Sequence, residues 1–243
     1  MSPEPKPILN VAKLVKRFGG FYALDGLSFH VASGEILGLV GPNGSGKTTA
    51  INVISGLYAP DGGEVTLDDA SIGGVASHRL VHRGVNRTFQ IPKPFLSLTV
   101  RENIQVALSY GRAEMAPPTM AELLEEYRLA EVANRPAADL NSAQQKMLDL
   151  TRALATRPRL LLLDELAAGL NPAELDWIAG RIQALAATGM AIIVVEHLMG
   201  FIEHITDRVI VLNAGKEIFE GKLAAAVKEP QVIEVFLGGE HVA

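Results

Sequence analysis

No cysteine occurs in the 243 residues. A disulfide framework, a thiol nucleophile and a cysteine-built metal site are therefore excluded. The same usage is compatible with a reducing cytoplasm without requiring one. Long apolar runs are missing too. The longest, Leu160–Leu163 and Ala191–Val195, are strand-sized, far short of the roughly 20 residues that cross a bilayer as a helix. Any link to a membrane is thus expected to run through a partner. No basic run stands out, and the formal net charge is -5 with a pI near 5.7. The electrostatic footprint of a nucleic-acid binder is absent, and no nucleic-acid partner is expected. Around Pro3, Glu4 and Pro5 there is no apolar stretch, so no secretory signal is expected. Internal repeats and low-complexity segments are not evident.

The composition is ordinarily globular, 48% hydrophobic and 20% charged, and the length suffices for a full core. One segment dominates the reading. Gly41, Pro42, Asn43, Gly44, Ser45, Gly46, Lys47 and Thr48 match G-x-x-x-x-G-K-[ST]. An apolar stretch, Glu35–Val40, precedes them and reads as a buried strand. Thr49–Ile54 follows and reads as the start of a helix. In that setting the glycines let backbone N–H groups converge on an anion, and the helix aims its positive end at the same point. Lys47 is placed to reach β- and γ-phosphates, and the Thr48 hydroxyl to ligate Mg²⁺. The pattern predicts a nucleoside triphosphate site.

Elements alternate along the chain, though unevenly. Residues 8–33 carry two alternating patterns about Gly19-Gly20, predicting antiparallel strands. Pro60–Gly63 reads as a turn and Glu64–Leu67 as a strand. Residues 84–90 read as a further strand ending at Gln90. From Pro92 to Thr156 the character becomes helical, with segments at Val100–Tyr110, Met120–Leu129 and Ser142–Thr156. Strand, helix, strand, helix and strand then follow from Leu160 through Leu212, the order of a parallel sheet covered by helices.

Two apolar strands end in polar pairs. Leu160–Leu163 leads into Asp164-Glu165, and Ile192–Val195 into Glu196-His197. Beside a phosphate loop, Asp164 suits Mg²⁺ and Glu165 suits a base for water attacking the γ-phosphate. His197 is placed one strand on, where it could contact the γ-phosphate. Gln90 is a candidate Mg²⁺ or water contact on the strength of the other motifs; without them a solvated strand end would be the preferred reading.

Taken in order, these motifs resemble the ATPase subunit of an ABC transporter over nearly the whole chain. The resemblance matches Gly41–Thr48 to the phosphate loop, Gln90 to the Q-loop, Leu140–Gln145 to the signature, Asp164-Glu165 to the catalytic pair, Ala168-Gly169-Leu170-Asn171 to the D-loop and His197 to the switch histidine. It implies an α/β P-loop NTPase fold with an N-terminal antiparallel β part and an inserted helical subdomain. The whole of 1–243 would be one domain, with 1–90 and 157–243 as core and 91–156 as insert. It implies ATP and Mg²⁺ as cofactors, with Phe18 stacking on adenine unless it is a buried strand residue. The segments Arg17–Gly20, Asn86–Gln90, Ala167–Pro172 and Val232–Gly238 resemble importer subunits for branched-chain amino acids and related amides.

The resemblance also implies partners: a second ATPase subunit, transmembrane permease subunits and, indirectly, a solute-binding protein, at the cytoplasmic face of the cell membrane. Two departures bear on it. The family's signature reads L-S-x-G-Q, whereas Leu140, Asn141, Ser142, Ala143 and Gln144 stand here. Asn141 keeps a donor, but Ala143 adds a methyl where backbone must approach phosphate. Such a signature favours a heterodimer over a homodimer. Leu166 replaces the proline that usually follows the catalytic glutamate, and is expected to loosen the turn that aims Glu165. The alternatives are a regulatory ATP-binding subunit with little hydrolysis of its own and, more distantly, a small-molecule kinase.

Overall fold

The computed structural model describes residues 7–112 and 116–237; Pro3, Glu4, Pro5 and Gly238 lie outside these. Alternating burial folds the first segment into a long antiparallel hairpin, β1 (Pro7–Phe18) and β2 (Phe21–Ala32). An all-buried strand β3 (Ile36–Val40) leads through the phosphate-loop sequence to α1 (Lys47–Ile54). Next come β4 (Gly62–Leu67), β5 (Ala70–Ser71), α2 (Ser77–His82) and β6 (Val85–Arg87). Helices α3 (Val100–Ser109), α4 (Met120–Glu126) and α5 (Ser142–Ala155) follow, with two short 3₁₀ turns between α4 and α5. The chain then runs through β7 (Leu160–Asp164), α6 (Pro172–Ala187), β8 (Ala191–Val195), α7 (Met199–Ile205) and β9 (Arg208–Asn213). It finishes with β10 (Lys216–Gly221), α8 (Leu223–Ala226) and α9 (Pro230–Leu237).

Two sheets result. One is antiparallel, in the order β2-β1-β4-β5; the other has six strands, in the order β10-β9-β3-β8-β7-β6. In the second, β9, β3, β8, β7 and β6 run parallel, and only the edge strand β10 is antiparallel. The five residues of β3, β7 and β8 are all buried, as strands covered on both faces must be. Their side chains divide by parity. Leu161, Leu163, Ile192 and Val194 pack with α5, α6 and α7. Leu160, Leu162, Ile193 and Val195 pack instead with α1 and the antiparallel sheet.

The predicted elements form, and the differences that bear on the site fall at three places. Helix α1 begins at Lys47 rather than Thr49. Helix α4 stops at Glu126, after which Arg128 takes φ 56°. The predicted strand at 84–90 lasts only from Val85 to Arg87. Thr88 still donates its N–H to Leu162 O at 2.9 Å, but the Phe89 N–H turns away to the Asp149 carboxylate, also at 2.9 Å. Gln90 therefore stands on an exposed bend beyond the sheet, not at a strand end.

Candidate functional site

The phosphate loop is shaped by glycines that nothing else could replace. Gly41 has φ 148°, and a Cβ there would sit 2.3 Å from Leu212 O. Gly46 has φ 110°, and a Cβ would meet Ala23 O at 2.6 Å. Left-handed Gly46 is the N-cap of α1, with no side-chain cap and no acidic residue in the first turn. The positive end of the helix is thus left to an external anion. Lys47 lies folded over the loop and donates to Gly41 O at 2.8 Å and Pro42 O at 2.9 Å. Burial lowers its pKa, while Glu165 and Asp164 oppose that shift.

A cleft of about 340 Å³ opens over this loop. Asn43, Gly44, Ser45, Gly46, Lys47, Thr48 and Thr49 form its floor, with Glu165 and His197 on one side. Phe18 and Phe21, from the two sides of the β1–β2 turn, also line it. Phe18 is 45% exposed and meets Tyr58 edge-on at 5.3 Å, so it is not a buried strand residue. Phe21 was missed by sequence reading; its signal is its place directly across the turn from Phe18.

Strand β7 delivers the two carboxylates to different environments. Asp164, the last residue of β7, is buried, and its Oδ2 accepts from Arg87 Nη2 at 3.0 Å. Arg87 also donates to Asn52 Oδ1 in α1. Burial raises the Asp164 pKa, helped by Glu165 and opposed by Arg87, Lys47 and His197. Its other oxygen, Oδ1, is buried without a hydrogen-bond partner among the described residues, as is Ser45 Oγ. A buried, unpaired carboxylate oxygen needs an account, and a divalent cation supplies one. Asp164 Oδ1 and the Thr48 hydroxyl are hard-oxygen donors of the kind Mg²⁺ takes, so the residues fit that ion.

Glu165 leaves the strand in the left-handed region, at φ 51°, a conformation rare outside glycine. Its N–H donates to Val195 O at 2.9 Å. The side chain projects into the cleft, where Gln90 Nε2 donates to Oε2 at 2.8 Å and His197 Nε2 lies 3.2 Å from Oε1. Gln90, Glu165 and His197, three separate motifs in sequence, therefore meet around one carboxylate. Where a loosened turn was expected after Glu165, the structure shows side-chain contacts on it. Leu166 is buried in the core, and Lys146 Nζ donates to the carbonyls of Glu165, Leu166 and Ala168 at 2.9, 3.1 and 2.5 Å.

Asn141, Ser142, Ala143 and Gln144 are not brought to this cleft. Asn141 caps α5 reciprocally with Gln144: Asn141 Oδ1 accepts from Gln144 N at 2.8 Å, and Gln144 Oε1 from Asn141 N at 3.1 Å. Asn141, Ala143 and Gln144 instead line a separate hollow with Arg128, Leu170 and Trp177.

A family model described as ABC transporter matches residues 24–168. Among curated proteins, the high-affinity branched-chain amino acid transport ATP-binding protein BraF of Pseudomonas aeruginosa is 37% identical, over 96% of this chain and 98% of its own. A solved nucleotide-free ATP-binding cassette from an ABC transporter superposes with TM-score 0.85 at 30% identity, covering 95% of this chain and 99% of that one. A dimeric cassette in a post-hydrolysis state, bound to ADP and phosphate, gives TM-score 0.80 at 26% identity, covering 88% and 98%.

Proposed function

This chain belongs to the ABC transporter family of ATP-binding cassettes, and on that premise we propose that it hydrolyses ATP to drive a membrane importer for branched-chain amino acids or related small amides. The observation that carries hydrolysis is Glu165, held between Gln90 and His197 at the mouth of the phosphate-loop cleft. In the reaction a water oxygen attacks the γ-phosphorus and the bond to the β–γ bridging oxygen breaks. ADP leaves, and Glu165 takes a proton from the attacking water. Gln90 and His197 hold the carboxylate and orient that water. Lys47 exchanges its two loop carbonyls for phosphate oxygens, and the α1 N-terminus stabilises charge in the transition state. Asp164 and Thr48, with Gln90 beside them, would hold Mg²⁺, which neutralises phosphate charge. Phe18 would stack on adenine.

In the same reading the chain is one domain, 1–243, with 91–156 as a helical insert in the core. Asn141–Gln144 serve the ATP of a second cassette, because they lie away from this chain's own cleft. The solute class rests on the sequence segments that resemble such importer subunits and on the name of the relative. Permease subunits would dock on the exposed apolar surface of Ile91, Phe95 and Leu96, just past Gln90, at the cytoplasmic face of the membrane. A solute-binding protein would act through them. The altered signature favours a second reading, a mainly regulatory subunit paired with a more active cassette. Glu165→Gln is the test: ATP binding should persist while phosphate release falls by roughly 10²-fold or more, the range for loss of a positioned base. Near-normal hydrolysis would overturn the assignment.

A further inference from the structure

Helix α5 does more than carry Asn141–Gln144. One turn into it, Lys146 is buried, and its ammonium sits under the turn that follows Glu165. It donates to Glu165 O at 2.9 Å, Leu166 O at 3.1 Å and Ala168 O at 2.5 Å. These use all three donors of a lysine. Between these carbonyls in sequence, the Ala167 N–H donates at 2.6 Å to Oε1 of Glu196, itself buried. Lys146 and Glu196 lie close enough to perturb one another's charge. The main chain from Glu165 to Ala168 is thus held by a cation on its carbonyls and a carboxylate on the Ala167 N–H.

This arrangement has a purpose that packing alone does not give it. Glu165 is in the left-handed region, which costs on the order of 1 kcal/mol or more and persists only where the surroundings over-determine it. Its N–H is fixed by Val195 O and its C=O by Lys146. With both peptide groups fixed, the carboxylate points between Gln90 and His197. Helix α5 holds the Gln90 side as well: Asp149 accepts the Phe89 N–H at 2.9 Å, and Arg152 donates to Lys93 O at 2.8 Å. One helix therefore sets both the carboxylate and the glutamine that bonds it.

We propose that Lys146 is a positioning residue for ATP hydrolysis, fixing the backbone of Glu165–Ala168 in the place of a proline after the glutamate. The proposal rests on Glu165 being the base. Lys146 does not line the nucleotide cleft, so its removal should separate turnover from binding.

The test uses the full chain with MgATP and compares Lys146→Met, Lys146→Arg, Glu165→Gln and the double variant Lys146→Met/Glu165→Gln. Lys146→Met should lower kcat at least tenfold, with KM and calorimetric ATP affinity within about twofold of the parent. Amide hydrogen exchange at Glu165–Ala168 should quicken while protection of β3 and β8 is unchanged. Lys146→Arg, keeping the charge, should recover part of the rate. In the double variant the Lys146 change should cost nothing beyond Glu165→Gln. Unchanged kcat and unchanged local exchange in Lys146→Met would overturn the proposal. So would a rate loss that merely tracks a loss of ATP-binding-competent protein. If Lys146→Met does not fold, Lys146→Gln carries the same comparison. Near-normal turnover in Glu165→Gln would instead remove the reading of Glu165 as base, which distinguishes the two failures.

Discussion

At the scale of single residues, the phosphate site was open to sequence reading because its spacing is covalent. Gly41 and Gly46 occupy conformations no other residue tolerates, and Lys47 and Thr48 follow them directly along the chain. The role of Lys146 was not readable. Its three acceptors are main-chain carbonyls nineteen or more positions away, and backbone oxygens leave no mark in a sequence. The same holds at Leu166: a proline's absence is visible in the sequence, but the ammonium bonded to the turn is not. Two expectations follow at this scale. Lys47→Ala should weaken ATP binding by at least roughly tenfold in calorimetry, since a charge-assisted bond to phosphate carries about 1.5–3 kcal/mol. Leu166→Pro should lower turnover rather than raise it. Proline pushes the preceding residue toward extended backbone, and Glu165 here is at φ 51°. A Leu166→Pro chain with faster phosphate release would contradict this.

Among elements, helices and buried strands were legible from their apolar patterns. Capping boxes at Thr99/Glu102, Thr119/Glu122, Asn141/Gln144 and Asn171/Glu174 mark four helix starts. What was lost was the exit from β6, because the Asp149 carboxylate that draws Phe89 out of the strand lies sixty residues downstream. The turn after β7 also carries a pH dependence. Burial, opposed by the Ala167 N–H and Lys146, pushes the Glu196 carboxyl up to about 7. The native state then holds this proton more tightly than the unfolded chain, whose carboxyl titrates near 4.3. Glu196 therefore favours folding below that value, and its contribution is lost as pH rises to about 7. In chemical denaturation, the parent should lose stability relative to Glu196→Gln between roughly pH 4.3 and 7, by at most about 4 kcal/mol. Parallel stability curves across that window would show that the carboxyl is not perturbed.

The whole molecule was legible as an order of motifs, and the parallel sheet gathers them because strands β6, β7 and β8 end near one edge of the phosphate loop. The exception is instructive. Asn141, Ala143 and Gln144 line a hollow of their own, and under the proposed function they would complete the site of a second chain. Each composite site would combine one chain's Lys47 and Glu165 with the other's signature. A homodimer would carry two altered signatures, whereas a heterodimer with an intact partner signature would carry one good site built on this chain's loop. Trp177, the one tryptophan of the sequence, lines the signature hollow with Asn141 and Ala143, so its fluorescence reports engagement there. In the Glu165→Gln background, which should trap bound ATP, the chain alone should change its emission little on adding MgATP. Asn141→Ser with Ala143→Gly in that background should produce a clear change, and in the parent should raise phosphate release. A serine still caps α5, and removing the methyl lets backbone approach phosphate more closely. If the double change moves neither emission nor rate, the signature does not limit assembly, and the case for an asymmetric pair loses its basis.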